Sequence, residues 1–530
     1  MVGVTGNWQD SDMNPAENLD DLSPQQLREL AATLRAQIRE QDAVIARHTQ
    51  ELRYRQTKID QLTHELAIHK RWKFGKRSEQ LTSAQASLLE EALDADLEAI
   101  EAELEALIPS SKSEPKNKPK RQTLPPQLPR TEIRHEPESE TCACGCALKR
   151  IGEDVSEKLD YTPGVFTVER HVRGKWVCGQ CETLTQAPIP PHVIDKGIPT
   201  AGLLAHTLVS KFGDHLPLYR QERIYARAGL AIPQSTLGAW VGICGVRLQP
   251  LVDALQGEVL TQSVLHADET PVQMLSPGDG KTHRAYLWAY APSQLSSLRA
   301  VVYQFAPTRS GEHARAFLQD WHGKLVCDDF SGYKASFGGG IIEIGCMAHA
   351  RRKFFELHDK HKSELAGQAL RFIAGLYEIE REVRDAEPEV RLEVRQQRAR
   401  PILDALHLWL EEQRRRVPDG SAIARAIDYS RKRWAALVRY LEDPAVPIDN
   451  NHIEGQIRPI ALGRSNWLFA GSLRAGQRAA AVMSLIQSAK LNGHDPYAYL
   501  KDVLTRLPTQ KTADVAELLP HRWTPVEAAM

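Results

Sequence analysis

Residues 109–131, PSSKSEPKNKPKRQTLPPQLPRT, limit this chain's fold more than any other segment. Six prolines, four lysines and two arginines among 23 residues leave too few apolar side chains to build a core. The segment reads as an extended, basic linker. Since 530 residues exceed what one core holds, it marks a boundary in a multidomain α+β protein.

The stretch before the linker is helical. From Ser23 to Lys70 there is no glycine and no proline after Pro24. Ile38, Ile45, Leu52, Ile59 and Leu66 recur every seven residues, with Leu27, Leu34 and Leu62 on the adjoining seam. Gln41, His48 and Arg55 interrupt that second seam. β-Branched residues on one seam predict a parallel two-stranded coiled coil over about 27–69, hence a homodimer or higher assembly. A single amphipathic helix packed on its own domain is the plainer alternative. Gly75 is expected to stop the helix. Around it Lys70, Arg71, Lys73, Lys76 and Arg77 interleave with Trp72 and Phe74, a pattern suited to phosphate and base contact, though also to a solvated face. A second helix, about 84–107, carries eight acidic residues and no basic one between Glu90 and Glu105. These opposite segments cancel in the net charge of −1, so any nucleic-acid signal is local.

No apolar run approaches the ~20 residues that span a bilayer, and the polar N-terminus has no secretory pattern; a cytoplasmic protein without membrane contact is expected. Five of the eight cysteines lie between 142 and 181, which suits a metal site better than a disulfide framework. Two strand-like runs, KLDYTPGVFTVERHV and GKWVC, complete a small β module over 132–186. Residues 187–260 are helical, and Gly229 between two helices permits a helix-turn-helix, as it permits any tight helical hairpin.

From 261 the texture changes to short strands: SVLHADETPV, AYLWAYAP, RAVVYQF, KLVCDDF and IIEIGC. SGEHARAFLQDW, a helical stretch, separates the third and fourth. That order predicts a ribonuclease H-like α/β core over 261–472, with an Arg-rich helical insertion over 348–441 and a C-terminal helical region over 473–530. Asp268 ends the first strand and Asp328 the fourth. Adjacent carboxylates repel unless a cation lies between them, the physical argument for metal. Two Mg²⁺ (or Mn²⁺) ions would activate the nucleophile and neutralise the leaving oxygen in phosphodiester cleavage. A register slip would substitute Glu269 and Asp329. Glu454 has its own alternative, since Asn451-His452-Ile453-Glu454 has the spacing of a helix cap.

LHADETPVQML, CDDFSGY, GCMAHARRKFFEL and IDNNHIEGQIRPIALGRSNWLFAGS resemble, in order, the motifs of the insertion sequence 66 family of transposases. RWKFGKRSEQL, IGEDVSEKLDY, LVSKFGDHLPLYRQERIYARAGLAIPQSTLGAWV and SAKLNGHDPYAYLKDVLTRLP extend the likeness over nearly the whole chain. The resemblance implies a DDE transposase with catalytic, magnesium-holding Asp268, Asp328 and Glu454. Asp329 stands where the family usually has glycine. The resemblance favours catalysis over capping for Glu454. DNA contacts are expected at Lys70, Arg71, Lys73, Lys76, Arg77, Arg458 and Arg464. One structural zinc is expected on four of Cys142, Cys144, Cys146, Cys178 and Cys181: Cys178-x2-Cys181 is a zinc half-site, while CACGC offers three candidates for the rest. The resemblance also implies a nucleoid-associated protein, whose expected partners are the element's ends, target DNA and two small accessory proteins. A non-catalytic DNA-binding regulator and a ribonuclease H-like nuclease are the competing functions.

Overall fold

The computed structural model describes residues 24–74, 83–107, 124–137, 139, 141, 145–162, 164–194, 197–276, 281–337 and 339–525. They fall into two compact units, residues 1–67 with 104–111, and residues 68–103 with 112–530. No helix among the described residues is long and apolar enough to cross a membrane.

In the first unit, the heptads lie on α1 (Pro24–Phe74), an uninterrupted helix. Ile38, Ile45 and Leu52 on its seam are 55, 62 and 66% exposed. Gly75, the expected stop, lies outside the described residues.

In the second unit, the acidic helix α2 (Ser83–Leu107) packs rather than standing in solvent. Leu88, Leu89 and Leu93 join Leu275 and Phe469 in a small core. Asp96 is fully buried and paired with Arg478 at 2.9 Å, and it accepts from the Ser472 hydroxyl. Glu91 accepts from the Leu218 backbone at 2.9 Å and pairs with Lys211. The close approach requires a residue without a side chain: a Cβ on Gly242 would sit 2.2 Å from the Ala95 carbonyl oxygen. Part of the acidic run thus supplies the anions of buried ion pairs.

β1 (Arg130–His135), β2 (Leu148–Thr162), β3 (Val165–Cys178) and β4 (Leu184–Gln186) make the β module. β2 and β3 form a long hairpin turned at Gly164, whose φ of +89° favours glycine. β1 runs parallel to β3 and begins inside the expected linker. The reason is Arg130. Its guanidinium donates to the carbonyls of Leu124, Pro125, Pro126 and Leu128 and pairs with Glu157. The proline-rich chain therefore wraps a cation, a fold that hydrophobic patterning does not register.

α3 (Ala201–Leu208), α4 (Leu218–Arg227) and α5 (Gln234–Leu260) follow. A turn through Gly229 joins α4 to α5, as the sequence allows. The second helix is a core helix, however: Leu237, Val241, Leu248, Leu251 and Leu255 are buried along its length.

The five expected strands are all present: β5 (Val264–Ser276), β6 (Lys281–Pro292), β7 (Val302–Ala306), β8 (Gly323–Cys327) and β9 (Ile341–Gly345). α6 (Gly311–Leu318) precedes β8 and the short α7 (Ser331–Lys334) follows it. The sheet order is β7-β6-β5-β8-β9, with β5, β8 and β9 parallel and β6 antiparallel to both its neighbours. Alternation sends successive side chains into different cores. Leu265, Ala267, Leu325 and Cys327 enter one, with α5 and the C-terminal helices. Val264, Val326 and Ile344 enter the other, built by the insertion. Those insertion helices are α8 (Met347–His361), α9 (Glu364–Glu382), α10 (Pro388–Val394), α11 (Arg400–Arg416), α12 (Ala422–Lys432) and α13 (Trp434–Val438). α14 (Asn451–Trp467), α15 (Leu473–Leu491) and α16 (Pro496–Arg506) complete the chain. The α15 hydroxyls of Ser484 and Ser488 accept from the backbone of Tyr303 (2.8 Å) and Val301 (3.0 Å), covering the edge at β7.

Candidate active site

β5 and β8 pair in parallel, Val264 with Lys324 and His266 with Val326. Carried two residues further, that register sets Asp268 level with Asp328, which lies one residue past the carboxyl end of β8. Contrary to the expectation from sequence, Asp268 does not end its strand: β5 continues to Ser276 through its pairing with β6, and only the pairing with β8 stops before it. Both share the parity of the side chains facing the insertion core, the side on which α14 brings Glu454.

The electrostatics agree. Burial pushes the Asp268 carboxyl from its ordinary 3.8 up to about 8, and the negative charges of Glu269, Asp328 and Glu454 push it the same way. The Glu269 backbone N–H opposes this, donating to Asp268 Oδ1 at 2.8 Å. Asp328 Oδ1 accepts from the Phe330 backbone at 2.8 Å, which fixes the turn after β8. Glu454 Oε1 is buried without a hydrogen bond, 3.7 Å from His349 Nδ1, while Oε2 lies 3.6 Å from Arg352 Nη2. A buried carboxylate oxygen without a hydrogen bond and a destabilised aspartate are what a cation would relieve. Cys346, His349 and Glu454 also bring potential ligand atoms within 4.8 Å of one another.

The two slipped-register alternatives are engaged elsewhere. Glu269 has the opposite parity and points to the other face. There it accepts from the Tyr333 hydroxyl at 2.8 Å and from Arg309 Nε at 2.8 Å. Asp329 pairs with Arg433 at 2.6 Å and Lys334 at 3.2 Å, and these cations hold its carboxyl below the usual range against a desolvation cost that is the largest single contribution.

The cap alternative for Glu454 is not realised, because Asn451 is already the first helical residue. Asp449 Oδ1 accepts the Asn451 backbone N–H at 3.0 Å. Asn450, fully buried, turns its side chain away from the helix. Its Nδ2 donates to the Ala267 carbonyl at 2.9 Å, its Oδ1 meets His266 Nδ1 at 2.7 Å, and its backbone N–H points at Cys346 Sγ at 3.2 Å. Since the amide oxygen must accept, His266 carries its proton on Nδ1. Burial, together with His452, lowers the His266 pKa to about 3, keeping the ring neutral. Asn450 thus ties Asp268's strand to Glu454's helix, a role that sequence reading missed. Its signal was present in the NN pair of IDNN.

Other expected sites are scattered. Lys70 pairs with Glu101 at 2.9 Å. The side chains of Arg71 and Lys73, and all of Lys76 and Arg77, lie outside the described residues, as do Cys142 and Cys144. Arg458 is exposed on α14. Arg464 is turned inward, donating to the Pro271 carbonyl and to Thr270 Oγ1. Cys178 is buried at the end of β3, and Cys181 is exposed in the turn that follows. Register pairs Cys178 with Leu148, two residues after Cys146, but Cys146, Cys178 and Cys181 do not bring their sulfur atoms within 4.8 Å of one another.

Family models match this chain along most of its length. The model described as "Transposase IS66 family" covers residues 196–478, and "IS66 C-terminal element" covers 484–521. "Zinc-finger binding domain of transposase IS66" matches 139–182, and "Transposase C of IS166 homeodomain" matches 61–133. The chain is similar to two uncharacterized proteins of Sinorhizobium fredii (strain NBRC 101917 / NGR234). It is 38% identical to y4jD over 76% of this chain and 81% of that one, and 34% identical to y4hP over 89% of each. The class is that of transposases. Within it, this chain belongs to the IS66 transposase family.

The raised Asp268 carboxyl sets a pH dependence. Without metal, the folded state holds a proton there that the unfolded state releases above about 3.8. Its contribution to stability is therefore complete below pH 3.8 and is lost as pH rises through about 8. In EDTA, the Tm of wild type is expected to fall more steeply between pH 5 and about 8 than that of Asp268→Asn. Parallel Tm curves for the two proteins would show that Asp268 is not held protonated.

Proposed function

We propose that this chain is a DDE transposase that cleaves DNA at the ends of its element and joins the freed 3′ hydroxyls to target DNA. Its centre is Asp268, Asp328 and Glu454 on a ribonuclease H-like core. The observation that carries the reading is the convergence of three carboxylates from β5, the end of β8 and α14, close enough that the charges of Asp328 and Glu454 add to the burial that raises Asp268 to about 8. A non-catalytic DNA-binding protein gains nothing from such a cluster. The sheet order β7-β6-β5-β8-β9 supports the ribonuclease H-like assignment.

Asp268, Asp328 and Glu454 would hold two Mg²⁺ (or Mn²⁺) ions, which supply charge neutralisation at the attacking and leaving oxygens of an in-line phosphoryl transfer. The protein's own part is placement. Asn450 fixes the helix of Glu454 against the strand of Asp268, and the Phe330 N–H orients Asp328. Cys178, Cys181 and two of Cys142, Cys144 and Cys146 would hold a structural zinc. The bare seam of α1 would be covered by a second copy of itself, pairing two DNA ends.

Asp268→Asn, Asp328→Asn and Glu454→Gln are each expected to reduce strand cleavage by about 10³-fold or more while DNA binding stays within a few-fold. Wild-type cleavage by any of the three refutes that carboxylate's role. Elemental analysis of purified protein is expected to give one zinc per chain, with chelation unfolding the β module before the catalytic core. Well under one equivalent would exclude the site. Replacing Ile45 and Leu52 with Lys is expected to convert a dimer to monomers by light scattering, since each buried side chain contributes about 1.5–3 kcal/mol. An undiminished mass would remove the seam from assembly.

A further inference from the structure

Most arginines of the helical insertion are already engaged. Arg391 donates to four backbone carbonyls' worth of turn around Val383, Arg384, Ala386 and Pro444. Arg395 is bidentate to Glu380, Arg398 to Glu382 and Arg431 to Glu411. Arg414 pairs with Asp419 and Asp428. A charged helical surface that neutralises itself in this way has no capacity left for phosphate.

One groove departs from that pattern. It opens between α8 and α9 at the start of α14, and Arg351, Arg352, Phe355, Tyr377, Arg381 and Asn451 line it. None of its three arginines has a hydrogen bond among the described residues. Arg381 comes no closer than 3.9 Å to Glu378, the one acidic residue of the lining. Arg351 lies over the Phe355 ring at 5.3 Å, and that ring is 44% exposed. The floor is fixed, with the Tyr377 hydroxyl donating to Asp449 Oδ2 at 2.7 Å and Asn451 Nδ2 donating to the same oxygen at 2.8 Å. The groove also touches the carboxylate site directly, because Arg352 Nη2 is 3.6 Å from Glu454 Oε2.

Guanidinium groups without hydrogen bonds beside an exposed aromatic face are the elements of a single-strand site. The cations follow the phosphates and the ring stacks on an unpaired base. Duplex DNA offers no free base face to Phe355. We propose that this α8–α9 groove holds the single-stranded DNA that continues from the scissile phosphate, with Arg351 and Arg381 on phosphates and Phe355 stacked on a base. The proposal rests on the DNA-cleaving reading of the carboxylates and adds to it a path for the strand.

The test is fluorescence anisotropy of a labelled 20-nucleotide oligo-dT with the full-length protein in EDTA, across a series of KCl concentrations. Arg351→Ala/Arg381→Ala is expected to weaken binding about tenfold and to make the slope of log K against log[salt] shallower by about 1.4, at ~0.7 per phosphate contact. Phe355→Ala is expected to weaken binding roughly tenfold with the slope unchanged, because stacking releases no counterions. Arg415→Ala, an exposed arginine outside the groove, is the control and is expected to stay within about twofold. All three side chains tested in the groove are exposed, and circular dichroism melts confirm the fold of each variant. Wild-type affinity and slope in the groove variants, or an equal loss in the control, would overturn the proposal. Cleavage is scored separately in Mg²⁺. Binding that depends on the groove alongside cleavage that ignores Asp268 would retire the carboxylate reading and keep the groove. The reverse result would retire the groove alone.

Discussion

The buried amide of Asn450 is the contact on which the candidate site depends. Asp268 and Glu454 are 186 positions apart in the chain and belong to elements with different supports, a sheet and a helix. The Asn450 side chain donates to the carbonyl beside Asp268 and accepts from the His266 ring, and its own N–H meets Cys346 where the insertion begins. Three segments are thereby indexed to one residue four positions before Glu454. Burying an amide is tolerable only when its groups are bonded, so the arrangement is either complete or costly. That condition makes the geometry specific in a way that apolar packing alone does not.

The second constraint is the parity of β5. One strand serves two cores, Leu265 and Ala267 facing one and Val264 facing the other. The consecutive acidic residues Asp268 and Glu269 within it then face opposite ways. Glu269 turns to Tyr333 and Arg309 and acts as a buried structural anion, while Asp268 turns to Glu454. Neighbouring carboxylates of similar chemistry acquire different environments from a single backbone alternation, without any difference in local sequence preference.

Much of this was legible beforehand. The five strands, the helix between the third and fourth, and the helices before and after follow from alternation, turn residues and proline placement, and lie within a few residues of their expected limits. Spacing alone could not decide between Asp268 and Glu269, between Asp328 and Asp329, or between capping and catalysis for Glu454, because each turns on which way one side chain points. For the aspartates, parity and the partners Arg309, Tyr333 and Arg433 supply that direction, each at least 40 positions away; Asp449, which takes the Asn451 N–H, is a near neighbour. Arg130 was placed in the linker because hydrophobic patterning does not register a cation bonded to the carbonyls just before it. The acidic residues of α2 meet cations, Lys211 and Arg478, more than 100 positions away. The helix-turn-helix pattern, similarly, does not reveal that α5 is buried along its length.

The hydroxyls of Ser484 and Ser488 close the edge of the sheet at β7, and they come from a helix near the end of the chain. On a ribosome, residues 301–306 emerge long before those serines are made. During that interval, roughly 180 codons at about 5–20 residues per second, the strand offers bare N–H and C=O groups to any other nascent chain. Copies truncated before α15 never cover that edge at all. Such fragments would keep an unpaired strand edge, the feature by which sheets pair with other chains and aggregate.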